Sequence, residues 1–551
     1  MEPKSKWKFQ GTRFIYNPKI RNFVIIIILI IGIVGGYLVM KDQIFMSEKM
    51  NTYFTVVLDC GSTGSRVNVY EWMTDDGDEA YGKLPILLRS YPQNINKSNG
   101  CEYHCMQTEP GLHNFVDDGF RVRASLEPLI RYAEQRVPLK RHVVTPLIVF
   151  ATAGMRRLTV DDAERVLQNV ENVVKEHGFL YRKSWIRVLS GKEEAYFGWV
   201  ALNYQMGVLR SSLTPHTLGL LDIGGSSLQV VAQVDVSLKD EHEFRSKFGP
   251  FGYDLAAYSL PAFGLNEAFD RTIFMLSHTQ ALRERSGGMF EVRHPCLGSG
   301  FFQNHSCGGC FGLDPRNSRN LSNHVRDNEL HSLLLVGEPN WEQCKVMARS
   351  AAINSSSSDW SHQVHRSNCI GLANYGGNTE LNLSKTSYSV TRYHAVSGFF
   401  AVSHALNLSP RANLTMLWEL GDRLCSNLSA DQTSITGLDC FRLPYLASLM
   451  ENALCLNGLE IIFGPGNISW TLGASLIEGE FLWLGSDKSQ NGILSLPDHK
   501  MLFSPLFTFL LLLLLLLVVY CSQIKLPMLC RKMAASRTSL PSYLYPKGQP
   551  D

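Results

Sequence analysis

Neither of the two common glycine-rich phosphate fingerprints occurs in this chain: no Gly-x-Gly-x-x-Gly opens a helix, and no glycine loop ends in Gly-Lys-Ser or Gly-Lys-Thr. A doubly wound dinucleotide fold and a Walker-type loop are thereby excluded. Excess charge is also missing. The 52 basic and 50 acidic residues leave a net charge of +2, with 19% of residues charged, so nothing points to nucleic acid. What remains is a chain of 551 residues, 45% hydrophobic, long enough for more than one core.

Acidic residues are almost absent from the first 21 positions, where Glu2 alone stands against Lys4, Lys6, Lys8, Arg13, Lys19 and Arg21. An almost wholly apolar run, 22–40, follows. Its length and basic leader predict a transmembrane signal anchor with residues 1–21 in the cytosol and 41–50 as a stalk. A second apolar run, 502–521, is followed by Lys525, Arg531, Lys532 and Arg537, so 522–551 reads as a second cytosolic tail and not as a lipid-anchor signal. Both termini then face the cytosol, and the region between faces the lumen or the outside, in the Golgi or the plasma membrane. Nine glycosylation sequons, at Asn96, Asn304, Asn320, Asn354, Asn382, Asn407, Asn413, Asn427 and Asn467, all lie between the runs. So do 11 of the 13 cysteines. Cys60 reads as a small buried thiol, and the other ten suffice for five disulfides. Cys307-Gly-Gly-Cys310 has the spacing of half a zinc site, but no second clear pair accompanies it, which favours disulfides.

One local pattern occurs twice: Val-Val-Leu-Asp-Cys-Gly-Ser-Thr-Gly-Ser-Arg, ending at Arg66, and Gly-Leu-Leu-Asp-Ile-Gly-Gly-Ser-Ser-Leu-Gln, ending at Gln229. Each is an apolar strand ending at an Asp, a Gly/Ser/Thr turn and a second alternating strand, hence a β-hairpin tip. A single such tip is usually only a turn. Two of them facing each other would clamp a polyphosphate. Gly61, Gly64, Gly224 and Gly225 let main-chain N–H groups approach an anion, Ser62, Thr63, Ser65, Ser226 and Ser227 add hydroxyl donors, and Asp59 and Asp222 can hold a hydrated cation against it.

Between the two tips, a buried strand runs into a turn whose Thr152, Gly154 and Arg156 can reach an anion. Farther on, a helix starts at Gly191 with Glu193 and Glu194 in its first turn. Taken alone, that pair is helix capping. Beside a phosphate site, a carboxylate is also what deprotonates an attacking water.

The ordered set Asp59–Arg66, Ala151-Thr-Ala-Gly-Met-Arg156, Gly191-Lys-Glu-Glu-Ala-Tyr-Phe-Gly-Trp199 and Asp222–Gln229 resembles the first four apyrase conserved regions of the nucleoside triphosphate diphosphohydrolases. Tyr393–Phe400, Cys440–Tyr445 and Ile468–Ala474 resemble the later blocks, and the likeness is strongest to membrane-anchored plant-type apyrases. The resemblance implies an α/β fold of two ribonuclease-H-like lobes of the actin-like (sugar kinase/heat-shock ATPase) superfamily, here with a membrane helix at each end. Lobe one would comprise 51–190 plus about 460–490, and lobe two 191–459. By the same likeness Glu194 is the catalytic base, and Ser227 and Gln229 position the water. Asp59 and Asp222 hold Ca2+ or Mg2+ through its water shell, and Ser62 to Arg66 with Thr152 cradle phosphate. The implied activity is hydrolysis of the terminal phosphate of nucleoside tri- or diphosphates. Ala195 stands where most members have Gly, Cys60 where Ala is common, and Phe399 and Phe400 where a stacking Tyr is usual. Phe400 and Trp470 are therefore the candidates for a base platform.

Overall fold

The computed structural model describes residues 52–73, 84–92, 106–210, 216–235, 241–248, 251–279, 283–284, 290–305, 333–353, 369–376, 379–384, 388–390, 392–426 and 435–484. The expected tails, the stalk and the apolar runs 22–40 and 502–521 lie outside these residues. Among the described residues no helix is long and apolar enough to cross a membrane. Two compact units are distinguished. One gathers 1–53, 74–76 and 481–540, and its described part is only the first two residues of a strand and the short helix Phe481–Leu484. The other, built from 54–73, 77–480 and 541–551, holds everything that follows.

Its first sheet uses β1 (Thr52–Cys60), β2 (Ser65–Met73), β3 (Ile86–Tyr91), β4 (Leu147–Ala151) and β5 (Ile186–Val188), in the order β3-β2-β1-β4-β5. β1 and β4 pair in parallel, and from Phe54 onward both are buried along their length, as expected of central strands covered on both faces. One face is covered by α1 (Gly119–Arg136), capped by Asp118, and α2 (Val160–Val174), capped by Thr159. Each buries an apolar stripe at helical spacing, with Val122, Leu126, Leu129 and Ala133 on α1 and Val166, Val170 and Val173 on α2. The register aligns Asp59 with Phe150 and Cys60 with Ala151. The turns after β1 and β4 therefore emerge at one edge.

The second sheet uses β6 (Gly219–Ile223), β7 (Ser227–Gln233), β8 (Glu243–Phe248), β9 (Phe251–Pro261), β10 (Arg392–Ser397) and β11 (Glu460–Phe463), in the order β11-β10-β6-β7-β9-β8. Here β6, β7, β9, β10 and β11 repeat the arrangement of β1, β2, β3, β4 and β5: a hairpin, a third antiparallel strand beyond its second arm, and two parallel strands beyond its first. Each sheet has its own buried apolar cluster. The second cluster continues into a small sheet, which includes Phe290–His294 and Leu333–Gly337, and into the helices Trp341–Ile353, Leu414–Ser426 and Ile435–Ser448. Disulfides Cys296–Cys344, Cys369–Cys455 and Cys425–Cys440 staple this region. Cys344, Cys425 and Cys440 lie close together because two of these bridges pack side by side. Cys60 is a buried free thiol, while Cys101, Cys105, Cys307 and Cys310 lie outside the described residues.

Two helices join the halves. α3 (Gly191–Gln205) is buried from Ala195 to Tyr204, and α6 (Trp470–Glu478) packs against it. Their approach is close at Gly473, where a Cβ would stand 1.9 Å from the carbonyl oxygen of Phe197. α6 also reaches the first sheet. Thr471 Oγ1 and Tyr70 Oη are 2.7 Å apart, and Ser475 hydrogen-bonds Thr55. The return to lobe one expected at about 460 thus begins later in the chain, because Glu460–Phe463 is still an edge strand of the second sheet, paired to β10.

Candidate active site

The two hairpin tips are built alike. Gly61 N–H donates to the Gly64 carbonyl and Gly224 N–H to the Ser227 carbonyl, each over 2.9 Å. The second tip is anchored from behind by α4 (Leu265–Thr279), whose Leu265 and Asn266 N–H groups donate to the carbonyls of Gly224 and Gly225. The tips meet where Ser226 Oγ donates to Ser62 Oγ, 2.9 Å away. Gly225 sits at this approach: a Cβ there would lie 3.1 Å from both the Thr63 methyl and the Asn266 side-chain amide, which would have to give by a few tenths of an ångström.

Beneath the tips lies a cavity of about 290 Å³. Asp59, Gly61, Ser62, Thr63, Arg66 and Thr152 line it from the first sheet, and Asp222, Gly224, Gly225, Ser226, Ser227 and Gln229 from the second. Glu194 and Trp470 come from the joining helices. Three proposed nucleotide ligands are not brought into this lining. Gly64 packs against the Thr108 carbonyl, and Ser65 is wholly buried. Phe400, on α5 (Gly398–Ala405), turns its ring against Gly464 and Gly466. Trp470 is 6% exposed and stacks on Phe150, so most of its ring is core.

The capping question at Glu193 and Glu194 has a clear geometry. Ser190 Oγ accepts from Glu193 N–H, and Glu193 Oε2 accepts from Ser190 N–H, a full capping box. Glu193 is further held by Arg187 at 2.7 Å. The cap is thus complete without Glu194, whose carboxylate enters the cavity. There Arg156 Nη1 donates to Glu194 Oε2 over 2.8 Å and to the Leu189 carbonyl over 3.1 Å, while Nη2 lies 3.5 Å from Ser227 Oγ. Gln229 Nε2 donates to the same Ser227 Oγ at 2.7 Å. The three residues assigned to base and water positioning are therefore one hydrogen-bonded chain, with Arg156 as the link.

Burial pushes the Glu194 carboxyl up to about 7; Arg156 offsets part of this, and Asp222 and Asp59 add to it. Asp222 is raised to about 6, again chiefly by burial, with Ser397 opposing and Asp59 reinforcing. Asp59 is raised by burial against the pull of Arg66, whose Nη1 is 3.3 Å away. Three carboxylates share one enclosed space, and two of them, Asp59 and Asp222, project from equivalent tips. The carboxylate oxygens of Asp59 and Asp222, facing one cavity from equivalent tips, suit a hard divalent cation held through its water shell.

Ser397 and Asn266 escaped the sequence reading, although both line the cavity. Strand register explains Ser397: β10 pairs Val396 with Asp222 and Ser397 with Ile223, placing the Ser397 hydroxyl beside the Asp222 carboxylate. A strand ending in Ser-Gly before a helix was its available signal. Ser397 also carries a positive φ of 54°, a strained position for a residue with a side chain.

Residues 45–481 match the GDA1/CD39 (nucleoside phosphatase) family. The chain belongs to this family. Similar proteins include "Probable apyrase 7" of Arabidopsis thaliana, 36% identical over 77% of this chain and 56% of that protein. The chain thus spans little more than half the length of that relative. "Guanosine-diphosphatase" of Schizosaccharomyces pombe is 31% identical over 44% of this chain and 42% of its own. Among solved structures, nucleoside triphosphate hydrolases from Neospora caninum share the mixed α/β fold, with a TM-score of 0.51 at 14% identity over 79% of this chain and 95% of that one.

Proposed function

We propose that this family member hydrolyses the terminal phosphoanhydride of nucleoside 5′-tri- or diphosphates, releasing orthophosphate. The observation that carries the reading is the pair of equivalent tips, Asp59–Arg66 and Asp222–Gln229, closing over the Glu194–Arg156–Ser227–Gln229 chain. The tips hold the phosphates through main-chain N–H groups, hydroxyls and Arg66. Ser227 and Gln229 orient a water, and Glu194 takes its proton. The water oxygen bonds to the terminal phosphorus as the bridging P–O bond breaks in line, and no covalent enzyme intermediate forms. Ca2+ or Mg2+, held through water by Asp59 and Asp222, would neutralise charge on the phosphate oxygens.

The repeated strand order supports two ribonuclease-H-like lobes with the nucleotide in the cleft between their tips. Trp470 lines the cavity and is the candidate platform for the base. For location, the runs 22–40 and 502–521 with their basic flanks, the sequons between them and the disulfides favour a glycosylated, membrane-tethered protein whose catalytic part faces the secretory lumen or the outside. The test is phosphate release by the purified full-length chain with Mg2+ or Ca2+ across a panel of nucleoside tri- and diphosphates. Release from at least one length of nucleotide, and none from monophosphates, is expected. A silent panel overturns the proposal.

A further inference from the structure

The two tips are each stiffened by their own hydrogen bonds, and a clamp also needs the gap between them to be fixed. Ser226 Oγ and Ser62 Oγ meet across that gap, but both residues line the cavity. Hydroxyls that turn to a phosphate no longer hold the tips to each other. Arg156 crosses to Ser227 at 3.5 Å as part of the chain to Glu194. A further crossing is the ion pair Arg157–Glu267, and neither partner belongs to the lining of the cavity. A ligand can therefore enter without displacing it. Both ends of the pair are seated on ligand-binding segments. Arg157 closes the turn Met155–Arg157, in which Met155 and Arg156 N–H donate to the Thr152 carbonyl at 3.0 and 3.2 Å. Thr152 N–H in turn donates to the Cys60 carbonyl, at the base of the first tip, over 3.1 Å. Glu267 stands in the first turn of α4; its N–H donates to the Gly225 carbonyl at 3.2 Å and its Oε1 accepts from Ser226 Oγ at 3.5 Å.

We propose that Arg157 and Glu267 are positioning residues whose ion pair sets the separation of the two tips, so that the empty cavity already has the spacing a nucleoside polyphosphate needs. This rests on the nucleotide reading above. Binding then does not have to draw the two halves together, and affinity gains by the cost avoided. The pair touches neither the ligand nor the attacking water, so it acts on ground state and transition state alike. Its loss raises KM and leaves kcat in place. The sign of the effect separates positioning from the electric field of the two side chains. Arg157→Gln makes the surroundings of the tips more negative, and Glu267→Gln makes them more positive. A field acting alone would weaken the binding of an anionic nucleotide in the first variant and strengthen it in the second. Loss of the fixed spacing weakens it in both.

The experiment measures equilibrium binding of a β,γ-imido nucleoside triphosphate to the full-length protein in Mg2+, with phosphate release from the parent nucleotide on the same preparations. Arg157→Gln, Glu267→Gln, the double variant and Arg157→Lys are compared with the wild type. The Arg157 side chain is 39% exposed and that of Glu267 11%, so the pair has the modest worth of a partly solvated ion pair. Each glutamine variant should weaken analogue binding and raise KM by about two- to fivefold, with kcat held within about twofold. The double variant should lose no more than either single one, because the two side chains act as one unit. Arg157→Lys, which keeps the charge, should bind like the wild type. Wild-type affinity in both glutamine variants, shifts of opposite sign, or losses that add in the double variant overturn the positioning role while leaving the hydrolytic reading intact. Failure of the analogue to bind the wild type overturns the nucleotide reading and this proposal with it.

Discussion

Glu193 and Glu194, adjacent on the first turn of α3, serve different structures: Glu193 closes the capping box with Ser190, whereas Glu194 lies in the cavity 2.8 Å from Arg156. Their substitutions should separate cleanly. Glu194→Gln is expected to lower kcat by about 100- to 10,000-fold with nucleotide binding retained. Glu193→Ala is expected to cost about 1 kcal/mol of stability through the lost cap, with little change in kcat. Chemical denaturation and phosphate release on the same preparations would read both, and equal losses of activity would refute the division of labour.

The pH dependence follows from the raised carboxyls. Glu194 must be ionised to accept a proton, so activity should rise with pH through about 7 and level off above it. Stability without metal should run the opposite way. Because the folded protein keeps Glu194 protonated to about 7 and Asp222 to about 6, it binds more protons than the unfolded chain above the ordinary carboxyl range. The contribution of these two groups to stability is then greatest below that range and is lost as pH rises through about 6 to 7. Thermal melts of the metal-free protein should show this decline, and Glu194→Gln should flatten it.

Metal removal should have two separable effects. A chelator is expected to abolish phosphate release, with Mg2+ or Ca2+ restoring it, and to lower the melting temperature by removing the partner of Asp59 and Asp222. Asp222→Asn should lose both activity and the metal-dependent rise in melting temperature. Its metal-free form should be at least as stable as the wild type above pH 6, since a buried charge has been deleted. Undiminished hydrolysis in chelator would contradict the cation's role.

Gly473 makes a packing prediction far from the chemistry. An added methyl would fall 1.9 Å from the Phe197 carbonyl, so Gly473→Ala must push α6 away from α3. A loss of about 1–3 kcal/mol is expected by denaturation, with activity falling as well because Glu194 and Trp470 ride on these two helices. Wild-type stability would show that the helices separate at no cost.

Much of the cavity was legible in the sequence because its ligands sit in short segments that carry their own turn chemistry. Asp59, Gly61 and Ser62, and again Asp222, Gly224 and Ser226, are local to one hairpin each. Contacts set by register or helix phase were not legible. Ser397 reaches Asp222 only because β10 pairs with β6 in one register. Phe400 falls within a recognisable block, yet the face of α5 that lines the cavity is Gly398 and Ala401, three residues apart, and Phe400 lies between them on another face. Arg156 was visible as an anion ligand. Its bond to Glu194 depends on packing between segments 38 residues apart and carries no sequence signature.

The like-built tips also give the clamp a polarity. Aligned from Asp59 and Asp222, the two turns agree at Gly61 and Gly224 but differ at Gly64 against Ser227 and at Arg66 against Gln229. Two identical jaws would accept a phosphate chain in either direction. Here one jaw ends in a guanidinium beside its own Asp59, and the other in a hydroxyl and an amide tied through Arg156 to Glu194. On the proposed function, one jaw would grip charge and the other would present water, so a chain of phosphates would have one end that can be cut.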